Sequence, residues 1–207
     1  MMQTLSFTDT TSRLADACRV FSGVGAQRRS DDGSPGRRLP VIGIRDLQDS
    51  AVAPLDALEL VEFSASSKVA AYEVREDDVL LSGRGTLLKF GLVGGETKGA
   101  IASGNIIIVR PGPGVVGGAL FALLSSDVFR PKIEVLRRGA TTLLSLSPKD
   151  LGKLEINLPP LGEQQKIAAL VKDAQIAHRA ALEAAEIRRS LARRLIDARL
   201  FGDNQKS

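Results

Sequence analysis

INLPPLGEQQKIAALV, residues Ile156–Val171, decides how the rest of the chain is read. Pro159 and Pro160 close an extended segment, because proline fixes φ, lacks an N–H and pushes its predecessor out of the helical region. A helix then starts within a few residues and meets neither proline nor glycine from Glu163 to Leu200. At about 1.5 Å per residue it spans roughly 57 Å. The break divides the chain into a globular domain over residues 1–160, a long helix over 161–200 and a flexible tail over 201–207.

Along the helix, Ile167, Leu170, Val171, Ala174, Ala181, Leu182, Ala185, Leu191 and Leu195 form a rough apolar stripe. Ala174, Ala177, Ala180, Ala181, Ala184 and Ala185 crowd its middle, and such small side chains let a second helix come close. An isolated helix this long leaves its stripe in water, so the pattern predicts a coiled coil with another helix. The competing reading folds the helix back on its own domain. Arg188, Arg189, Arg193, Arg194 and Arg199 load the distal turns. Their charge suits the negative end of the helix dipole and equally suits DNA or an acidic partner surface.

Upstream, the pattern alternates short strands with short helices. SRLADACRVFSGVG reads as a short helix or turn leading to a strand, and AQRRSDDGSPGRR as a loop. Leu39–Leu47 has strand character. Val79–Leu81 and Leu87–Val93 are two strands joined around Gly83-Arg84-Gly85. NIIIVRP (Asn105–Pro111) is the clearest strand, a β-branched run stopped by proline. A helix is expected from Gly118 to about Phe129. Ser147 before Pro148 fits a helix N-cap with proline at the first position, and KLEINL is a final strand. The fold class is α+β (mixed α/β): one globular domain followed by a long coiled-coil helix.

The chain has 207 residues, net charge +4, one cysteine, no tryptophan, one tyrosine and seven phenylalanines. Lone Cys18 excludes an internal disulfide and reads as a small buried apolar residue in a reducing, cytoplasmic setting. No apolar run reaches the roughly 18 residues of a membrane span, and the N-terminus has no signal-peptide pattern. The scarcity of aromatics argues against a stacking platform for single-stranded nucleic acid. A basic balance is compatible with duplex DNA.

Catalytic chemistry has little to work with. GPGVVG (Gly112–Gly117) matches a dinucleotide fingerprint after a strand, yet Pro113 sits inside the turn. GGETKGA lacks the Gly-Lys-Ser/Thr end of a P-loop. Asp78 with Glu96-Thr97-Lys98 imitates a metal-dependent nuclease, but its Glu and Lys sit in a Gly-rich turn. His178 is the only histidine and lies in the long helix, where a solvated side chain is the plain reading. No metal site and no cofactor is expected.

DDVLLSGRGTLLKFGLV, SGNIIIVRP and RRGATTLLSLSPKDLGKLEINLPPLGEQQKIAALV occur in that order. Together they resemble the specificity (S) subunit of type I restriction-modification enzymes, over about residues 10 to 200. The resemblance implies a non-catalytic, cytoplasmic subunit of a phage-defence system. Its target-recognition domain reads double-stranded DNA, and its spacer helix docks a methyltransferase (M) subunit, with a restriction (R) subunit as a further partner. S-adenosylmethionine belongs to the M subunit, not to this chain. A full-length S subunit carries two domain-plus-helix units; this chain has one. A half-length form with an unmatched stripe is expected to be a homodimer on inverted half-sites. The DNA-binding candidates are Arg28, Arg29, Arg37 and Arg38 in the arginine-rich segment, Ser82, Arg84, Thr86 and Lys89 in the tight turn, and Arg137 with Arg138. Two other classes stay open: a small metal-dependent nuclease around Asp78 and Glu96, and a helix-mediated protein-interaction module.

Overall fold

Ile106, Ile107, Ile108 and Val109 are all buried, as are Val79, Leu80 and Leu81. Both runs are unbroken rather than alternating because their sheet is covered on two sides. The computed structural model describes residues 11–25, 36–48, 50–64, 69–138 and 144–202. Arg28, Arg29, the turn at 139–141 and tail residues 203–207 lie outside the described residues.

The elements in chain order are β1 (Ser12–Arg13), α1 (Leu14–Ala17), β2 (Cys18–Ser22), β3 (Arg37–Ile42), β4 (Leu47–Gln48), β5 (Ser50–Val52), β6 (Glu59–Phe63), β7 (Val79–Ser82), β8 (Phe90–Leu92), β9 (Ile101–Ala102), β10 (Ile106–Pro111), α2 (Gly117–Ser125), α3 (Phe129–Leu136), α4 (Pro148–Gly152), β11 (Glu155–Ile156) and α5 (Leu161–Phe201). The α+β expectation holds. Two compact units emerge, Met1–Ala169 and Leu170–Ser207.

In the first unit, a six-stranded sheet runs in the order β2-β10-β7-β8-β5-β4 and a three-stranded sheet in the order β6-β3-β9, while β1 pairs with β11. The β5–β8 and β3–β9 pairs are parallel; the other pairs are antiparallel. Leu80, Ile106 and Ile108 join Ile42, Leu47, Val52, Leu58 and Val74 in one hydrophobic cluster. Helix α2 packs against β7, β8 and β10. Cys18 is buried at the start of β2, and desolvation pushes its thiol up to about 11.

The helix expected to reach Phe129 stops at Ser125, and a second helix starts at Phe129. Ser126 makes the break: its hydroxyl donates to the Leu123 carbonyl at 2.7 Å and accepts the Phe129 N–H at 3.2 Å. Pro131 does not end α3, because it lies in the first turn, where its missing N–H loses no helical bond. Ser147 caps α4, accepting the Asp150 N–H at 3.0 Å.

The second unit is the rest of α5, helical from Leu170 to Phe201. Its residues are exposed almost throughout.

Candidate nucleic-acid interface

Strands β7 and β10 are antiparallel with Ser82 opposite Ile106. The segment leaving β7 and the turn entering β10 therefore lie side by side. The Gly83 N–H donates to the Asn105 carbonyl at 2.7 Å and stitches them together. β2 joins the same end: Ser22 lies opposite Ile107, and Val24 bridges Ser103. Leaving β2, the chain passes out of the described residues at Gly25 and re-enters at Gly36.

The Ser82–Lys89 turn is held from inside. Buried Ser82 donates its hydroxyl proton to the Leu87 carbonyl at 3.0 Å and accepts the Lys89 N–H at 2.9 Å. Arg137 is also buried, and its guanidinium donates to the carbonyls of Gly85 and Thr86 and to the Glu134 carboxylate. These two candidates thus build the turn from behind rather than offering groups to a duplex. Both side chains are buried behind the turn. Gly85 has φ +115°, a conformation that L side chains rarely adopt.

Bracing of this kind projects Arg84, Thr86 and Leu87 into solvent. Leu87 is 70% exposed. Arg138 exchanges two backbone hydrogen bonds with Ser145, at 2.9 and 2.8 Å, and Arg84 bridges the same Ser145. Arg84 and Arg138 are therefore gathered on adjoining segments, and both are exposed, as is Thr86 in the turn after Arg84. Lys89 is half-buried, with Nζ donating to the Ile44 carbonyl at 3.3 Å. Near Arg138, the Asp150 carboxyl is held below its usual range, first by the Lys153 hydrogen bond, then by Ser147.

Arg37 and Arg38 are exposed on β3, but on opposite faces: Arg37 is opposite Phe63, and Arg38 is opposite Glu62. The two do not act as a pair. On α5, Ile167 and Val171 are half-buried, whereas Leu170, Ala174, Ala181, Leu182, Ala185, Leu191 and Leu195 are exposed. At about 100° per residue, Leu170, Ala174, Ala177, Ala181, Ala184, Leu191 and Leu195 share one face, with Arg188 at its centre. Leu182 lies about 120° from Leu170, at the stripe's edge.

The motifs that imitated enzymes have structural uses. A Cβ on Gly117 would lie 2.3 Å from the Asp77 carbonyl oxygen. Gly112, whose Cβ would lie 2.4 Å from the Ala17 carbonyl oxygen, and Gly117 thus serve close packing, while Gly114 takes φ +80°. Asp78 is buried and spent: its carboxylate accepts from Arg110 Nε at 2.9 Å, Arg110 Nη2 at 2.7 Å and the Arg75 N–H at 2.8 Å. Among the described residues, no three His, Cys, Asp or Glu side chains converge to hold a metal. No helix among them is long and apolar enough to cross a membrane.

The sequence reading missed Asn105, which is exposed beside Arg84; its only signal was a turn residue before the β-branched run. It also missed Arg45 and Glu59, an ion pair at 2.7 Å that joins the Ile44–Asp46 turn to β6.

Comparison with known proteins follows the same lines. No curated protein matches the chain. Among solved structures, one described as the structural basis of complex assembly and conformational transition of the type I R-M system has TM-score 0.60 and 21% identity, covering 91% of this chain and 44% of that one. The HsdS subunit from Thermoanaerobacter tengcongensis has TM-score 0.56 and 22% identity, covering 94% and 45%. The type I restriction-modification S subunit from M. genitalium has TM-score 0.57 and 14% identity, covering 99% and 49%. The chain spans less than half the length of each. Residues 10–187 match the model of the type I restriction modification DNA specificity domain, and the chain belongs to that family.

Proposed function

We propose that this chain is the sequence-reading subunit of a cytoplasmic type I restriction-modification system. It recognises double-stranded DNA and directs a methyltransferase subunit to its target, with a restriction subunit as an optional third component. Catalysis and S-adenosylmethionine belong to the methyltransferase. The observation that carries this reading is the braced turn: buried Arg137 and Ser82 spend their polar groups holding it, and Arg84, Thr86 and Arg138 are left exposed together. Arg84 and Arg138, with Arg37 and Arg38 on β3, supply cations for phosphate and base contacts.

Two copies form the active reader. The exposed stripe of α5 supports this, since Leu170, Leu191 and Leu195 gain by leaving water only if a partner helix covers them. A two-fold pair places two identical domains on inverted half-sites. The test is co-expression with a cognate methyltransferase, followed by genome-wide mapping of methylated sites. A bipartite inverted motif is the expected result; sequence-independent or absent methylation overturns the reading. Binding that is undetectable on every duplex, with methyltransferase binding intact, would favour a purely protein-interacting helix module.

A further inference from the structure

Arg84 does more than sit on a basic surface. It lines a half-open cleft of about 680 Å³ with Asn105, Arg45 and Glu59, floored by Val41, Val61 and Phe63 of the small sheet. The cleft opens where the turns after β7 and before β10 adjoin, so its rim is set by the register of the large sheet and its floor by the small one.

The charge balance of this cleft differs from that of a phosphate site. Arg45 and Arg84 contribute two positive charges; Asp46 and Glu59 contribute two negative ones, and they cancel. Arg45 is moreover committed to Glu59 at 2.7 Å, with Asp46 at 3.7 Å, and Asp46 accepts the Gly43 N–H at 2.8 Å. A polyanion gains little from a neutral cleft. The major-groove edge of a base pair, which mixes donors and acceptors with the apolar thymine methyl, matches it. Two rim side chains, Arg84 and Asn105, make no hydrogen bond or ion pair with any described residue, and both are exposed. Their backbones are fixed, through the Gly83–Asn105 bond and the Arg84–Ser145 bridge, so the side chains are presented from a rigid rim.

We infer that this cleft is the base-reading site of the domain, with Arg84 and Asn105 as the specificity-determining residues and Arg138, outside it, as a phosphate contact. This rests on the reading of the chain as a DNA-recognition subunit. The chemistry divides the roles. A guanidinium donates two hydrogen bonds to guanine O6 and N7, and a carboxamide donates to adenine N7 while accepting from N6. Each suits one base pair in the major groove, and the two residues, held side by side, read neighbouring pairs of one half-site.

The experiment uses the full chain co-expressed with its methyltransferase, and compares the methylated motif of the wild type with those of Arg84→Ala, Asn105→Ala, Asn105→Asp and Arg138→Ala. Asn105→Ala and Arg84→Ala should each relax the motif at one position per half-site, with roughly 5- to 150-fold discrimination lost there. Asn105→Asp, which keeps the shape and can only accept, should turn that position toward cytosine, whose N4 donates. Arg138→Ala should keep the motif and lower occupancy at all sites alike. Fluorescence anisotropy of purified complexes on single-base variant duplexes checks the same ratios should a variant express poorly. An unchanged motif in both Asn105 variants and in Arg84→Ala overturns the inference alone. A wild-type complex with no motif at all overturns the reading beneath it.

Discussion

The side-chain oxygen of Gln164 accepts the backbone N–H of Val116 at 2.9 Å, linking the first turn of α5 to the N-cap of α2 across 48 residues of sequence. The same carboxamide donates to the Pro159 carbonyl at 2.9 Å and to the Gly114 carbonyl at 3.2 Å. Gln164 is buried, so no water replaces these bonds. Gln164→Ala strands one donor and two acceptors. It should cost about 2–3 kcal/mol of stability, read as a lower denaturant midpoint at unchanged slope. A change under about 0.5 kcal/mol would show that the clamp contributes nothing.

Two glycines test the same junction in opposite directions. A Cβ on Gly118 would sit 2.7 Å from Cβ of Ala168, so the start of α5 must shift to admit it. Gly118→Ala is expected to destabilise by about 1–3 kcal/mol, as overpacking does. Gly162, at the second residue of α5, has nothing within 4 Å of its would-be Cβ. Gly162→Ala should be neutral or stabilise by up to about 1 kcal/mol. Equal effects in thermal or chemical melts would refute the packing argument.

Arg137 and Arg138 are neighbours with separable roles. Arg137 is internal, so Arg137→Ala should loosen the Ser82–Lys89 turn and weaken DNA binding without changing its salt slope. Lysine should not rescue it, because one ammonium cannot hold Gly85, Thr86 and Glu134 together. Arg138→Ala should instead lower the magnitude of the slope of log affinity against log salt by about 0.9. Titrations at four or five salt concentrations read both, and the same slope change in the two variants would remove the distinction.

Much of this was legible because local chemistry and tertiary demand agreed. β10 is a β-branched run, the Ser147-Pro148 cap is a local signal, and nothing interrupts α5 after Pro160. Sequence reasoning failed where burial decided the outcome. Ser82 and Arg137 look like surface donors in a Gly-rich context, and only the closing of the turn around them puts them inside. Arg37 and Arg38 read as the end of a loop, but they open β3, whose alternation sends them to opposite faces. The helix expected from Gly118 to about Phe129 is broken at Ser126, and Pro131 falls in the first turn of the next helix, where it is harmless. Asn105 and Glu59 carry no motif; their place at one cleft arises from strand register, which no single segment encodes.

Cys18 gives a pH test. Burial raises its thiol from an ordinary value of 9.0 to about 11. The neutral form is therefore favoured in the folded state. Its contribution is intact below pH 9 and is lost as pH rises from 9 to 11, where the unfolded chain releases the proton first. Alkylation by iodoacetamide at pH 8 should be at least about tenfold slower in the native protein than in denaturant, since only thiolate reacts. Equal rates would show that the thiol is neither buried nor shifted.

Arg188 occupies the centre of the α5 stripe between Ala184 and Leu191. A polar residue at one seam position fixes register at a cost in stability. If two copies pair through this face, the seam responds in both directions. Leu191→Glu combined with Leu195→Glu places four carboxylates in the paired seam and should raise the dimer dissociation constant by about 100-fold or more. Arg188→Leu should tighten the dimer while admitting shifted registers, which would blur the spacing between the two halves of the methylated motif. Sedimentation equilibrium across the micromolar range measures the first effect and methylome mapping the second. A wild-type chain that stays monomeric at tens of micromolar excludes the pairing.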